Sequence, residues 1–414
     1  MTNIVDVFFF SGTPYEIGYQ NGKTRAEFLK KYLKGLSFGN LYETKSWPSP
    51  EDYNIENFKE KQPADFARWD KFVKSQPEWI LEELHGLADG AGVEYEKVLI
   101  DIKHFPLMFS SASKGAAGDD DCNGFVVYGK GAVGGKPIVG GNAEGASEPR
   151  RVADIDPLSG HSRTAIYYVK NNKMNSLVFG HGCPGQMCAH GGINEKGLAM
   201  FGSGVSAKSE DLGDVGMPAL MTRRVALQTC NNVDEAIDFY KNIPKLGSSH
   251  VYIADLKRAV MLEFTGKHMA VSDPERGFIG GASPAFVNPT MKPYHSCLID
   301  ETDPRFNYTI ALKRGEFRHQ RYVELFEKKK PLNPEMCMEL LGDHGGRGAG
   351  IVREEIYGAP PQGSDYTICP HGSGNPEHGF HKIGTSYIIV PDRKTMYVAF
   401  GSPCQANYVP FKVP

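Results

Sequence analysis

From Phe125 almost to its end the chain is a succession of short β-type runs separated by turn residues, a rhythm that commits it to layered sheets. The runs are FVVYG, GKPIVGGN, TAIYYV, SLVFG, GLAMFG, HVYIAD, AVMLEF, TSYIIVPD and TMYVAFG. The pairs YIAD-LKR-AVMLEF and YIIV-PDRK-TMYVAF read as hairpins, because a few polar residues join two β-rich segments. Helical stretches are predicted among them at about 217–229, 233–241, 317–328 and 333–341. Asn232 and Asn333 stand where an Asn side chain can cap a first turn, and Pro334 suits the first helical position. Hairpins with grouped helices predict an α+β fold of packed sheets covered by helices. There is no internal repeat of 20 to 50 residues.

The first 110 residues read as mainly helical after a first strand ending near Phe10. Apolar residues at helical spacing from Pro14 to Leu36 predict one helix, and Ile80, Leu84, Leu87 and Ala88 predict another from about Glu78 to Ala91, ended by Gly90 and Gly92. Then SSASKGAAGDDD, residues 110–121, has the small, polar composition of an exposed linker. Lys and Arg number 46 against 49 Asp and Glu, a net charge of −3, which excludes binding to nucleic acid or anionic membranes by bulk charge. No apolar run approaches the roughly 18 residues of a bilayer span, and no signal-peptide pattern opens the chain, so the expectation is a soluble, cytoplasmic protein. In that setting eight scattered cysteines are expected to be free thiols.

Cys122 is the unusual one. Structural thiols sit inside apolar runs, whereas Cys122 stands at the junction between the linker and a strand. The run Asp121-Cys122-Asn123-Gly124-Phe125-Val126-Val127, followed after a hairpin by Gly140-Gly141-Asn142-Ala143-Glu144, resembles the acyl-CoA:6-aminopenicillanic acid acyltransferase family (peptidase C45-type) of the N-terminal-nucleophile (Ntn) hydrolases. Further matching pieces follow in order: Glu82 to Gly92 resembles the family's helix before the cleavage site, and Gly192-Ile193-Asn194-Glu195-Lys196-Gly197-Leu198-Ala199 its hairpin. Val287-Asn288-Pro289, His319-Gln320-Arg321, Thr367 to His371 and Thr385 to Ile389 complete the series, which spans about residues 12 to 404.

The resemblance implies a four-layer αββα sandwich activated by self-cleavage between Asp121 and Cys122. The pieces, 1–121 and 122–414, would be a mainly helical segment and the Ntn unit, of about 13 and 32 kDa, staying together as one folded body. Chemically, a freed Cys122 would carry a thiol and an α-amine of pKa about 7.7 to 8.0, nucleophile and base in one residue. Asn288 would hold the oxyanion, Glu144 would take the place of an Asp beside the amine, and Asn142, His190 and His381 are candidate pocket residues. Three features depart from the family: three acids before Cys122 in place of Gly, Glu for Asp at 144, and His381 or Lys382 where a basic residue is expected. The acids should raise the thiol pKa and slow processing.

Simpler roles remain open on the sequence. Cys122 reads also as an unprocessed strand-start thiol, Asn288 as a turn residue before Pro289, Glu144 as a solvated hairpin acid, and Asn194 with Gly197 as turn chemistry. The clusters His181-Cys183-Cys188-His190 and Cys369-His371-His378-His381 invite metal, but their spacing is not of the zinc type. The expectation is therefore an amidohydrolase acting on a linear small-molecule amide through a thioester, without cofactor or metal. An acyltransferase taking its acyl group from CoA is the alternative, and an unprocessed metal-holding or binding protein a further one. Homo-oligomerisation is left open.

Overall fold

The computed structural model describes residues 6–35, 56–110, 122–147, 165–170, 175–180, 187–283, 285–295, 308–345, 367–373 and 380–413. Asp121 and the acids before it, His181, Cys183 and His378 lie outside these residues, and the side chains of His371 and His381 are likewise outside the description. Among the described residues the strands are, in chain order, β1 Asp6–Ser11, β2 Asn123–Val127, β3 Ile138–Ser147, β4 Ala165–Lys170, β5 Asn175–Gly180, β6 Gly191–Asn194, β7 Ala199–Gly204, β8 Met217–Pro218, β9 Lys245–Leu246, β10 Ser249–Ala254, β11 Ala259–Phe264, β12 Met269–Ser272, β13 Phe278–Ala282, β14 His371–Ser373, β15 Phe380–Val390, β16 Thr395–Phe400 and β17 Tyr408–Lys412. The helices are α1 Pro14–Thr24, α2 Ala26–Gly35, α3 Phe58–Lys61, α4 Pro63–Lys74, α5 Glu78–Ala91, α6 Tyr95–Ser110, α7 Ala219–Thr229, α8 Val233–Asn242, α9 Tyr308–Lys329 and α10 Pro334–Leu341.

Two sheets stack. One has the order β1-β4-β5-β6-β7-β10-β11-β12, and the other β13-β2-β3-β15-β16-β17 with β14 paired to β15. Side chains alternate between two environments along each strand, as the period of 2 requires. On β2, Val126 joins the core between the sheets while Phe125 and Val127 face α9 and α10. On β10, Tyr252 and Ala254 join the same inter-sheet core, whereas Val251 and Ile253 pack on α7 and α8. Helix layer, sheet, sheet and helix layer thus form the αββα sandwich. A separate helical core joins Trp69, Ile80, Leu84 and Leu99 to Met217, Met221 and Val225, so residues from both sides of position 122 share it.

The N-terminal reading needs two corrections. The predicted helix from Pro14 to Leu36 is two helices broken at Arg25 (φ −122°), and Gly90 is interior to α5, which the left-handed Gly92 (φ 64°) ends. Gly90 has another role. Gly18 and Gly22 on α1 meet Gly86 and Gly90 on α5 so closely that a Cβ on Gly18 would lie 1.9 Å from Glu83 O, and one on Gly86 2.0 Å from Tyr15 O. Backbones therefore touch directly, a separation that no other residue permits.

Candidate active site

Cys122 immediately precedes β2, whose partners on either side are β13 and β3. Its carbonyl accepts the Ser283 N–H at 2.9 Å, and its side chain is buried between the sheets. The Glu144 backbone N–H points at the Cys122 Sγ at 3.4 Å, and the His190 Nε2 lies 3.7 Å from it. A thiol, a backbone donor and an imidazole thus meet at one point.

Each is fixed by local sequence. The facing glycines Gly124 and Gly141 leave room for the Phe201 ring, which a Cβ at 141 would approach to 2.1 Å. Phe201 then meets His190 edge-on, with centroids 5.0 Å apart. The His190 backbone is held where its carbonyl accepts the Gly202 N–H at 3.1 Å, while the neighbouring Ala189 carbonyl accepts from the Arg223 Nε at 2.9 Å.

Beneath Cys122 lies a buried polar network. Asn123, the next residue, donates from Nδ2 to Glu144 Oε1 at 2.9 Å and to the Ile368 carbonyl at 3.1 Å, and its Oδ1 accepts from the Tyr322 hydroxyl. Burial and, to a smaller extent, neighbouring charges push the Tyr322 phenol well up, so it stays a donor. Glu144 pairs with Arg318, Nη1 to Oε1 and Nη2 to Oε2, each at 3.2 Å. Asn142, cross-strand to Asn123, donates to the Leu341 and Ile368 carbonyls at 3.0 and 2.9 Å. Three bonds from its side chain, to Glu144, Ile368 and Tyr322, hold Asn123, the residue after the thiol, in one position.

The predicted residues divide accordingly. Glu144 is buried, which overturns the solvated-acid reading; its backbone touches the thiol while its carboxylate is held by Asn123 and Arg318. His190 reaches the thiol directly. Asn142 is a supporting residue under the site, and His381 is placed only by backbone, opposite Ala146 on β3. Asn288 follows β13 in a tight turn: its Oδ1 accepts from the Thr290 N–H and hydroxyl at 2.9 and 2.8 Å, and its Nδ2 donates to Ser272 Oγ at 2.8 Å. Its backbone N–H and that of Val287 donate to Glu263 at 2.6 and 2.7 Å, so the turn reading describes Asn288 as observed. Asn194 is structural, donating to the Leu227 and Cys230 carbonyls and accepting from the Lys196 and Leu198 N–H groups. Sequence reasoning missed Arg318, Tyr322 and Asn123.

Among solved structures the chain is similar to a variant of conjugated bile acid hydrolase from Clostridium perfringens (13% identity, 70% of this chain and 96% of that one, TM-score 0.35). It is also similar to the Caenorhabditis elegans ortholog of N-acylethanolamine-hydrolyzing acid amidase (12%, 71% and 100%, TM-score 0.38) and to penicillin V acylase from Agrobacterium tumefaciens (13%, 70% and 86%, TM-score 0.37). No curated protein matches it in sequence. Residues 153–354, close to half of the chain, match the profile of the acyl-coenzyme A:6-aminopenicillanic acid acyl-transferase family, the one to which the ordered motifs point. Over that central stretch the chain is similar to this family.

Proposed function

We propose that the protein is an amidohydrolase of linear amides whose nucleophile is Cys122, exposed as an N-terminal residue by self-cleavage. The observation that carries the reading is the buried Cys122 thiol with the Glu144 N–H and His190 Nε2 around its sulfur. In the maturation step the Cys122 sulfur attacks the Asp121 carbonyl carbon, the Asp121–Cys122 C–N bond breaks, and the thiol proton passes to the departing nitrogen, which becomes the free α-amine. Water then hydrolyses the thioester, leaving an Asp121 carboxylate and restoring the thiol. In turnover the same sulfur attacks the substrate amide, the α-amine receives the thiol proton and passes it to the departing amine, and water resolves the acyl-enzyme. An amine in place of water would make the product a new amide, which is the acyltransferase form of the same chemistry.

By the resemblance the oxyanion would fall to Asn288, through the Nδ2 hydrogen not donated to Ser272 in the turn, a role worth about 3 kcal/mol where such donors have been tested. The two pieces are expected to remain together, since the helical core joins α4, α5 and α6 to Met217, Met221 and Val225. The His190 contact favours a second reading, in which imidazole serves as the base and no cut is needed.

Intact-mass measurement of wild type and Cys122→Ala, with N-terminal sequencing, separates them. Pieces of 121 and 293 residues, the larger beginning at Cys122 and absent from the variant, would support the first reading. An intact chain that still hydrolyses amides, and loses activity in His190→Ala, would support the second. A panel of β-alanyl amines, phenylacetyl amides and acyl-amino acids would identify the substrate.

A further inference from the structure

Cys369 and Cys404 are far apart in sequence, yet their Sγ atoms lie 3.7 Å apart, and the ligand atoms of His344, Cys369 and Cys404 all fall within 4.8 Å of one another. The spacing has a chemical meaning. A disulfide needs its sulfurs at about 2.0 Å. Two thiolates on one tetrahedral zinc, with Zn–S about 2.3 Å, stand about 3.8 Å apart, and a sulfur and an imidazole nitrogen about 3.5 Å.

The three residues come from three segments held by other contacts. His344 follows α10 beside Asp343, whose carboxylate takes the Arg321 Nε and Nη2 at 2.8 Å each. The Cys369 N–H donates to the Asp343 carbonyl at 3.0 Å, tying the second segment to the first. Cys404 lies in a turn after β16 in which the Gln405 and Ala406 N–H groups donate to the Ser402 carbonyl, and Gly342 packs against its backbone. Cys369 is buried while His344 and Cys404 are exposed, so the cluster opens to solvent on one side.

We propose that His344, Cys369 and Cys404 form a binding site for a thiophilic divalent cation of the Zn²⁺ type, with the fourth position open to water. Binding exchanges two thiol protons for the metal, so two protons are released per ion and no oxidant or reductant is required. This departs from both sequence groupings, because the partners that folding gives Cys369 are His344 and Cys404. The site is separate from the thiol chemistry at Cys122, and the position next to Cys369 is Ile368, whose carbonyl receives the Asn123 and Asn142 amides.

The test uses the full chain, reduced and stripped with chelator, then titrated with Co²⁺ and back-titrated with Zn²⁺. One equivalent of tetrahedral cobalt with a thiolate-to-cobalt charge-transfer band is expected, displaced by Zn²⁺ and retained in Cys122→Ser. In Cys404→Ser, an exposed position, the band should weaken and the affinity fall at least about tenfold, with His344→Ala also weakened. No band in reduced wild type, an unchanged band in Cys404→Ser, or its loss in Cys122→Ser would overturn the proposal. A Cys369–Cys404 disulfide in the purified protein, with no band after reduction, would overturn it in favour of a redox pair.

Discussion

At the residue scale, the site depends on a buried ion pair. Arg318 and Glu144 are both inaccessible to water, and the bidentate contact gives the carboxylate one orientation. Removing one partner leaves an uncompensated charge, so Arg318→Met should destabilise the fold by about 3–5 kcal/mol, read as a lower urea midpoint at unchanged slope. Glu144→Gln keeps the shape, and turnover reduced at least about tenfold is expected if the carboxylate tunes the site; unchanged turnover would remove it from the chemistry. Cys122 stood out in the sequence because a Cys at a composition boundary is anomalous, and the structure places it beside His190 and the Glu144 N–H. Arg318 was not, because within a helix rich in Lys, Arg and Glu it looks like any solvated charge, and only the fold carries it to Glu144, 174 positions away. Asn288 had two sequence readings, and its bonds to Thr290 and Ser272 match the turn. An Asn288→Ala enzyme with normal kcat would confine it to that role.

At the element scale, α1 and α5 pack through glycines, and the consequence is steric. Gly86→Ala would place a methyl 2.0 Å from the Tyr15 carbonyl, so the helices must separate. A loss of about 3 kcal/mol, at the upper end for overpacked cores, is expected in chemical denaturation, and Gly129→Ala is a poor comparison because its φ of 60° adds strain of its own. The strands were readable because their alternation is local: the β10 and β11 hairpin pairs residue for residue, Ser249 with Phe264 through Ala254 with Ala259. Caps were equally local, with Asn232 and Asn333 accepting the Glu235 and Met336 N–H groups. The break at Arg25 and the parallel pairing of β1 with β4 were hidden, since one depends on packing and the other on a contact across more than 150 residues.

At the scale of the whole molecule, buried imidazoles set the acid limit. Burial, assisted by the neighbouring His250, pushes His295 down to about 4, and its Nε2 accepts the Phe286 N–H at 3.1 Å, a bond that protonation would break. Burial lowers His319 in the same direction. The unfolded chain takes up the His295 proton near its ordinary value of about 6.5, before the folded chain does. The contribution of His295 to stability is therefore complete above about pH 6.5 and is lost towards pH 4, on the order of 3 kcal/mol. Urea unfolding across that range, with His295→Gln flattening the curve, checks the sign.

The parallel pairing of β1 with β4 has a further consequence for a chain cut before Cys122. The first piece would then be a strand donor in trans: Asp6 to Ser11 would remain matched to Ala165 to Lys170 of the other piece, with Phe9 stacked on Tyr168 at 4.8 Å. Without it, β4 would present an open edge six residues long, with the donors and acceptors of alternate residues unpaired, a template for aggregation. Separately encoded pieces 1–121 and 122–414 should therefore reconstitute a soluble complex when co-expressed, and the larger piece alone should precipitate.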